Sequence, residues 1–243
     1  MIRNQSGNVL FYILIGVTLL AALSYTVAQT NRGGAQSVSK EKAGIVASEV
    51  IGYADIVGNA VSQLRLRGVS VNKISFENEE VTGYENANCI DDSCKIFDLD
   101  GGGIVYAVPK EDWLESKYSS EPRYKELYFN GSAMGLGKGS DTKDDLILFI
   151  PYLKKSVCIA INDALSIPLD TDDIPSEKNG PFETAAKFDG SYNDVPDFYV
   201  AGDNTAGQDE LFSSYSAGCT KSSGAGAAPV SGSYHFFKVL IAR

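Results

Sequence analysis

The chain is 243 residues long, with 31 Asp and Glu against 21 Lys and Arg, four Cys, one His and one Trp. Every acid lies from Gln29 onward, beside 20 of the bases, a formal −11 that excludes a protein built to read nucleic-acid phosphates. A single histidine excludes histidine-rich metal centres and leaves a catalytic triad only one candidate base, so catalysis is not expected.

Arg3 is the only charged side chain of residues 1–7, and residues 8–30 read as a membrane span. Val9 to Ala28 is uncharged, and as a helix rising about 1.5 Å per residue it crosses roughly the 30 Å hydrocarbon layer. Eleven of these residues are Val, Leu, Ile or Phe, supplying roughly −3 to −7 kcal/mol of insertion free energy. A cleaved secretory signal normally has a shorter apolar region. A soluble core helix keeps a polar face, which this segment lacks. Arg3 on one side and Arg32, Lys40 and Lys42 on the other leave the orientation open by charge alone.

Asn31-Arg32-Gly33-Gly34 marks a hinge over 31–36, and 37–243 reads as an exported α+β domain. A second helical pattern runs from about Ser37 to Leu66. Val46, Val50, Tyr53, Val57, Ala60 and Leu64 recur at steps of four and three, with Lys42, Glu49, Asp55, Asn59 and Gln63 on other faces. The stripe serves either the domain's own sheet or neighbouring subunits. Beyond Gly68, short apolar runs among Gly, Asn, Asp and Ser read as strands and loops. Ile96–Leu99 and Ile104–Val108 flank Asp100-Gly101-Gly102-Gly103 and are expected as a hairpin. Leu146–Ile150 is expected as a buried strand closed by Pro151, Ser156–Leu165 as a short helix and Tyr234–Ala242 as a closing strand. Long loops are expected between Pro168 and Gly232. The fold class is therefore α+β: a long N-terminal membrane-spanning helix, then an amphipathic helix packed on a mainly antiparallel sheet.

Cys89, Cys94, Cys158 and Cys219 are even in number and lie in separate loop-rich stretches, as disulfides in an oxidising compartment do. Four buried free thiols are the competing reading. Spacing suggests Cys89 with Cys94, worth about 2 kcal/mol on chain entropy, and Cys158 with Cys219, worth about 4 kcal/mol. Three connectivities are formally open.

Ser6-Gly7 directly before the apolar helix, followed by an amphipathic helix and a disulfide-bearing α+β domain, resembles type IV pilins and the pseudopilins of type II secretion. The resemblance implies that residues 1–7 are a short basic leader and that a prepilin peptidase cuts between Gly7 and Asn8. It also implies a single-pass protein of the bacterial inner membrane, with its C-terminal domain in the periplasm or in an extracellular filament. Its partners would be the lipid bilayer and other pilin-like subunits. The family usually has an apolar first mature residue and a glutamate fifth. Here Asn8 and Tyr12 hold those positions, a pattern closer to minor subunits at filament tips. Small residues permit close helix approach, so Gly16, Ala21 and Ala22 are the candidates for a contact face within the membrane. The alternative is a membrane-tethered binding or scaffolding protein that never polymerises.

Other motifs read blandly. Gly131 to Ser140 has the glycines of a phosphate loop, but Lys138 is followed by Gly139 where Ser or Thr would hold magnesium. Asp170, Asp172 and Asp173, and Asp189, Ser191, Asn193 and Asp194, offer oxygens at alternating spacing. Members of the resembled family often carry calcium in a late loop, but neither cluster here has the glycine and glutamate of an EF-hand. No cofactor is otherwise expected. His235 lies in the final strand as a surface or structural residue. Trp113, Tyr118, Tyr124, Tyr128 and Phe129 are expected to pack beneath a loop.

Overall fold

A computed structural model describes residues 6–134, 144–168, 173–176, 187–192, 198–199, 215–222 and 230–243, excluding the side chains of 6–10, 26–38, 132–134 and 198–199. The chain divides into two compact units, Met1–Ala43 and Gly44–Arg243. Helix α1, Ser6–Leu66, contributes to both.

In the first unit α1 passes through 31–36 without a break, where a hinge was expected, and the division between units falls later, after Ala43. Glycine lowers helix stability by about 1 kcal/mol relative to alanine but does not forbid the conformation. The expected pair of helices is thus one element. The described side chains from Phe11 to Tyr25 are all exposed.

The second unit is α+β. Its sheet is built from β1 (Tyr128–Met134), β2 (Asp145–Leu153), β3 (Phe198–Tyr199), β4 (Ala217–Lys221) and β5 (Tyr234–Ile241), in the order β3-β1-β2-β5-β4. Every pairing is antiparallel except the two-residue contact of β3 with β1. The closing strand β5 lies inside the sheet, between β2 and β4. Helix α2, Lys155–Ala164, follows β2 directly.

The stripe of α1 read from the sequence is buried. Val46, Val50, Val57, Ala60 and Leu64 share one core with Leu146, Leu148 and Ile150 of β2 and Phe236 of β5. Glu49, Asp55, Asn59 and Gln63 are exposed. Gly58 allows close approach, since a Cβ there would stand 3.2 Å from Cε of Lys238 on β5. Asp55 and Lys238 form an ion pair across the same contact.

All nine residues of β2 are buried. Leu146, Leu148 and Ile150 belong to the main core, whereas Ile147 and Phe149 join Tyr128, Ile167 and Phe237 in a second cluster. The period-two alternation sends successive side chains to opposite faces, and both faces are covered. The strand does not stop at Pro151. It continues to Leu153 through an irregularity after Ile150, with Tyr152 at φ 60°. A bulge accommodates the proline that a regular ladder would exclude.

Two expectations fail around the middle of the chain. Ile96–Leu99 and Ile104–Val108 do not form a hairpin. The 98–103 segment is a turn, in which the Gly103 N–H donates to the Asp98 carbonyl (2.7 Å) and the Gly102 N–H to that of Lys95 (2.8 Å). A Cβ on Gly101 or Gly102 would collide with the Lys95 or Ile96 carbonyl oxygen, so these glycines serve a close backbone approach. Strand β1 was not anticipated either, because its Asn130-Gly131-Ser132 reads as a loop. Phe188 and the Ser191 carbonyl crowd Gly131, leaving no room for a Cβ.

Candidate functional site

The residues read as functional fall into an apolar helical surface and a set of positions in the second unit. Gly7 and Asn8, the expected processing residues, lie within α1, but their side chains are outside the described residues. Of the expected span, side chains are described from Phe11 to Tyr25, an apolar helical stretch. By length and composition the one described helix that reaches a full membrane span is Ser39–Leu66, at mean hydropathy 1.2. Its buried stripe belongs to the core of the second unit, so that apolarity is already used.

Phe11, Tyr12, Ile13, Leu14, Val17, Leu19, Leu20, Leu23 and Tyr25 are each more than half exposed. The Thr18 hydroxyl donates within the helix to the carbonyls of Leu14 (3.1 Å) and Ile15 (2.9 Å), so it makes no demand on its surroundings. Gly16 is open, with nothing within 4 Å of a Cβ placed on it. The three small residues expected to form one contact face are not brought together. At about 100° per residue, Ala21 lies about 140° and Ala22 about 120° around the helix from Gly16. Ala21 and Ala22 share their side with Thr18 and Tyr25, whereas Gly16 shares its side with Leu19, Leu20 and Leu23.

The cysteines pair as their spacing suggests. Cys89 joins Cys94 with Cα atoms 5.7 Å apart, and Cys158 joins Cys219 at 5.4 Å; there are no free cysteines. The first pair closes a short turn against the core, where the Ser75 N–H donates to the Cys94 carbonyl (3.0 Å) and the Ile96 N–H to that of Ser75 (2.8 Å). The second ties α2 to β4.

Beside that second bridge lies a residue the sequence did not single out. Buried Asn162 donates from Nδ2 to the Cys219 carbonyl (2.9 Å) and accepts at Oδ1 from the Cys219 N–H (2.8 Å). The carboxamide reproduces one residue of a strand ladder on the outer edge of β4. The Lys221 N–H continues the edge, donating to the Pro175 carbonyl (2.9 Å). Two tyrosines do similar work before and within β1. Tyr84 Oη donates to the Leu127 carbonyl (3.2 Å) and accepts from the Phe129 N–H (3.1 Å), and Tyr106 Oη accepts from the Leu127 N–H (2.8 Å). Burial holds both phenols above their ordinary pKa.

The proposed calcium clusters are only partly described. Asp170, Asp172, Asn193 and Asp194 lie outside the described residues. Asp173 is held by the ammonium groups of Lys155 (2.8 Å) and Lys221 (2.9 Å), which keep its carboxyl well below the usual range and balance its charge. Asp189 accepts from the Ser191 N–H (2.9 Å) as a turn residue. Among the described residues no group of three His, Cys, Asp or Glu side chains is disposed to hold a metal. Of the phosphate-loop-like stretch, 135–140 lies outside the described residues, and its first four residues belong to β1.

His235 is fully buried rather than on the surface, with Nε2 2.6 Å from Thr220 Oγ1 across the β4–β5 ladder and its ring edge-on to Phe149. It is a structural histidine. Trp113, Tyr118, Tyr128 and Phe129 are buried and Tyr124 is half-buried, but Tyr128 and Phe129 lie in β1 and not beneath a loop. The Arg123 guanidinium lies 4.5 Å from the Tyr128 ring centre, while burial pushes the Tyr128 phenol up to about 12.

Asp145, at the start of β2, is a buried carboxylate with a shifted pKa. Its Oδ1 accepts from the Arg243 N–H (2.8 Å), and Oδ2 has no hydrogen-bond partner among the described residues. Burial raises its pKa to about 6 against the opposing pull of Arg243.

No family model matches the chain, and neither a curated protein nor a solved structure shows significant similarity to it.

Proposed function

We propose that this chain is a membrane-anchored, pilin-like structural subunit, of the minor pseudopilin-like kind, in an envelope filament or in a secretion or pilus assembly. One observation carries the reading: the unbroken apolar helical surface from Phe11 to Tyr25, with its large side chains uncovered. At about 25 cal/mol per Å² of apolar surface, that exposure to water is costly, and hydrocarbon or neighbouring apolar helices remove the cost. The self-satisfied Thr18 hydroxyl and the absence of charge along the stretch suit the same surroundings. Two disulfides suit a second unit held in an oxidising compartment, the periplasm or beyond. The function is one of lateral assembly, with the bilayer, other pilin-like subunits and a prepilin peptidase as partners.

Tyr12 favours a second reading. A carboxylate at that depth would be expensive unless paired, and pairing is the use the resembled family makes of it. A chain without it loses that route of recruitment, which fits a tip subunit or a tether that never polymerises. Intact-mass measurement of the protein from membranes separates these. Loss of Met1–Gly7, with or without a methyl group on Asn8, is the expected result, and an uncut chain would leave only the tether.

A further inference from the structure

The second unit carries an exposed apolar edge where the 97–106 segment meets the end of α1. Leu66 and Leu99 there are each 88% exposed, and Val105, whose carbonyl accepts from Tyr53 Oη (3.0 Å) farther back along α1, is 79% exposed. The Arg67 guanidinium donates to the Gly101 carbonyl (2.8 Å), so Leu66 and Leu99 flank a single contact between helix and turn. Next to this edge is an open groove of about 380 Å³, with Phe97, Val105 and Tyr106 as its apolar wall and Glu79, Glu80 and Asp98 on its rim.

The groove is preformed. Phe97 and Tyr106 meet edge to face at 5.2 Å. Asn78 Oδ1 accepts from the Glu80 N–H (3.0 Å) and the Val81 N–H (2.8 Å), which pins the acidic turn. The Cys89–Cys94 bridge and the Ser75–Lys95 contact hold the opposite side. Little ordering entropy remains to be lost on binding.

Charge decides what fits. Lys95 is the one cation lining the groove, and Glu77 (3.4 Å) and Asp92 (3.0 Å) already flank it. Glu79 and Glu80 form no ion pair among the described residues. Residues 65–106 hold eight acids against four bases, a formal −4. A second copy presenting the same face would bring like charge against like charge, which disfavours symmetric self-docking.

We propose that this groove is a docking surface for a polypeptide partner that presents a Lys or Arg beside an aliphatic side chain. The aliphatic group lies on Phe97, Val105 and Tyr106, and the cation sits among Glu79, Glu80 and Asp98. The inference concerns the second unit alone and stands whether or not the chain enters a filament.

Full-length protein in zwitterionic micelles is titrated into a fluorescent peptide alternating Leu with Lys and Arg, read by anisotropy. A Glu-for-Lys/Arg peptide and protein-free micelles are the controls. Binding of the basic peptide is expected to weaken about tenfold in Glu79→Gln/Glu80→Gln and about threefold in Val105→Ser. Asp112→Asn/Asp163→Asn removes the same charge elsewhere and is expected to bind as the parent does. Equal weakening by both double variants would reduce the effect to general attraction and overturn the proposal. So would binding of the acidic peptide as tightly as the basic one, no binding of the basic peptide, or a dimer of the chain that Val105→Ser abolishes.

Discussion

Asp145 shows how one buried carboxylate couples stability to pH. Its folded pKa of about 6 lies above the ordinary value of 3.8, so the native state binds its proton more tightly than the unfolded chain does. The sign follows: stability is greatest below the ordinary value and declines as pH rises through about 6, with no further loss from this group above that. The shift corresponds to no more than about 2 kcal/mol once partial solvent screening and the Arg243 N–H are allowed for. Asp145→Asn keeps an acceptor for that N–H and removes the buried charge. Thermal melts are expected to show the variant a few degrees more stable than the parent near pH 7.5 and indistinguishable from it near pH 4. Equal Tm values at both pH values would show that Asp145 is not penalised by burial. The sequence contains Asp144-Asp145 before an apolar run, but nothing local shows which of them a later strand will cover.

At the scale of elements, the sheet is completed by side chains as much as by strands. The outer edge of β4 would be a template for unwanted pairing if left open. Asn162 of α2 closes it by bonding both backbone groups of Cys219, beside the disulfide that joins the same two elements. Asn162→Ala leaves a buried N–H and a buried C=O without their partner, at an expected cost of about 2–4 kcal/mol. Urea unfolding under oxidising conditions measures it, and a loss under about 0.5 kcal/mol would mean that the disulfide alone holds the edge. The α1 stripe, β2, α2 and β5 were legible because apolar periodicity and strong apolar runs are local signals. The edge contacts of Asn162, Tyr84 and Tyr106 were not, since an amide or a phenol acquires such a role only when a distant backbone arrives beside it. The missed β1 and the false hairpin have one cause. Gly101 and Gly102 sit in a turn that folds back onto Lys95 and Ile96 instead of joining two paired strands, and Gly131, a turn residue by type, lies in a strand against Phe188.

For the whole molecule, the division into Met1–Ala43 and Gly44–Arg243 separates two kinds of surface. The core of the second unit draws on α1 only from Val46 onward. A chain beginning at Gln36 is therefore expected to stay dissolved without detergent and to melt within about 2 °C of the full protein, a shift smaller than about 1 kcal/mol would produce. The full chain is expected to partition into membranes or micelles. A truncated chain that aggregates, or that loses its cooperative transition, would show that residues before Gln36 contribute to folding. Composition and periodicity alone determined the uncharged apolar segment near the start, the amphipathic stripe after it, the α+β class and the spacing that favours these two disulfides, because each depends on residues close in the chain. Tertiary structure decided the strand order, the burial of His235, the raised pKa of Asp145, the ion pairs that take up Asp173 and the tyrosine and asparagine contacts at the sheet edges. Those depend on which distant segments meet, and meeting is settled by the packing of the whole core.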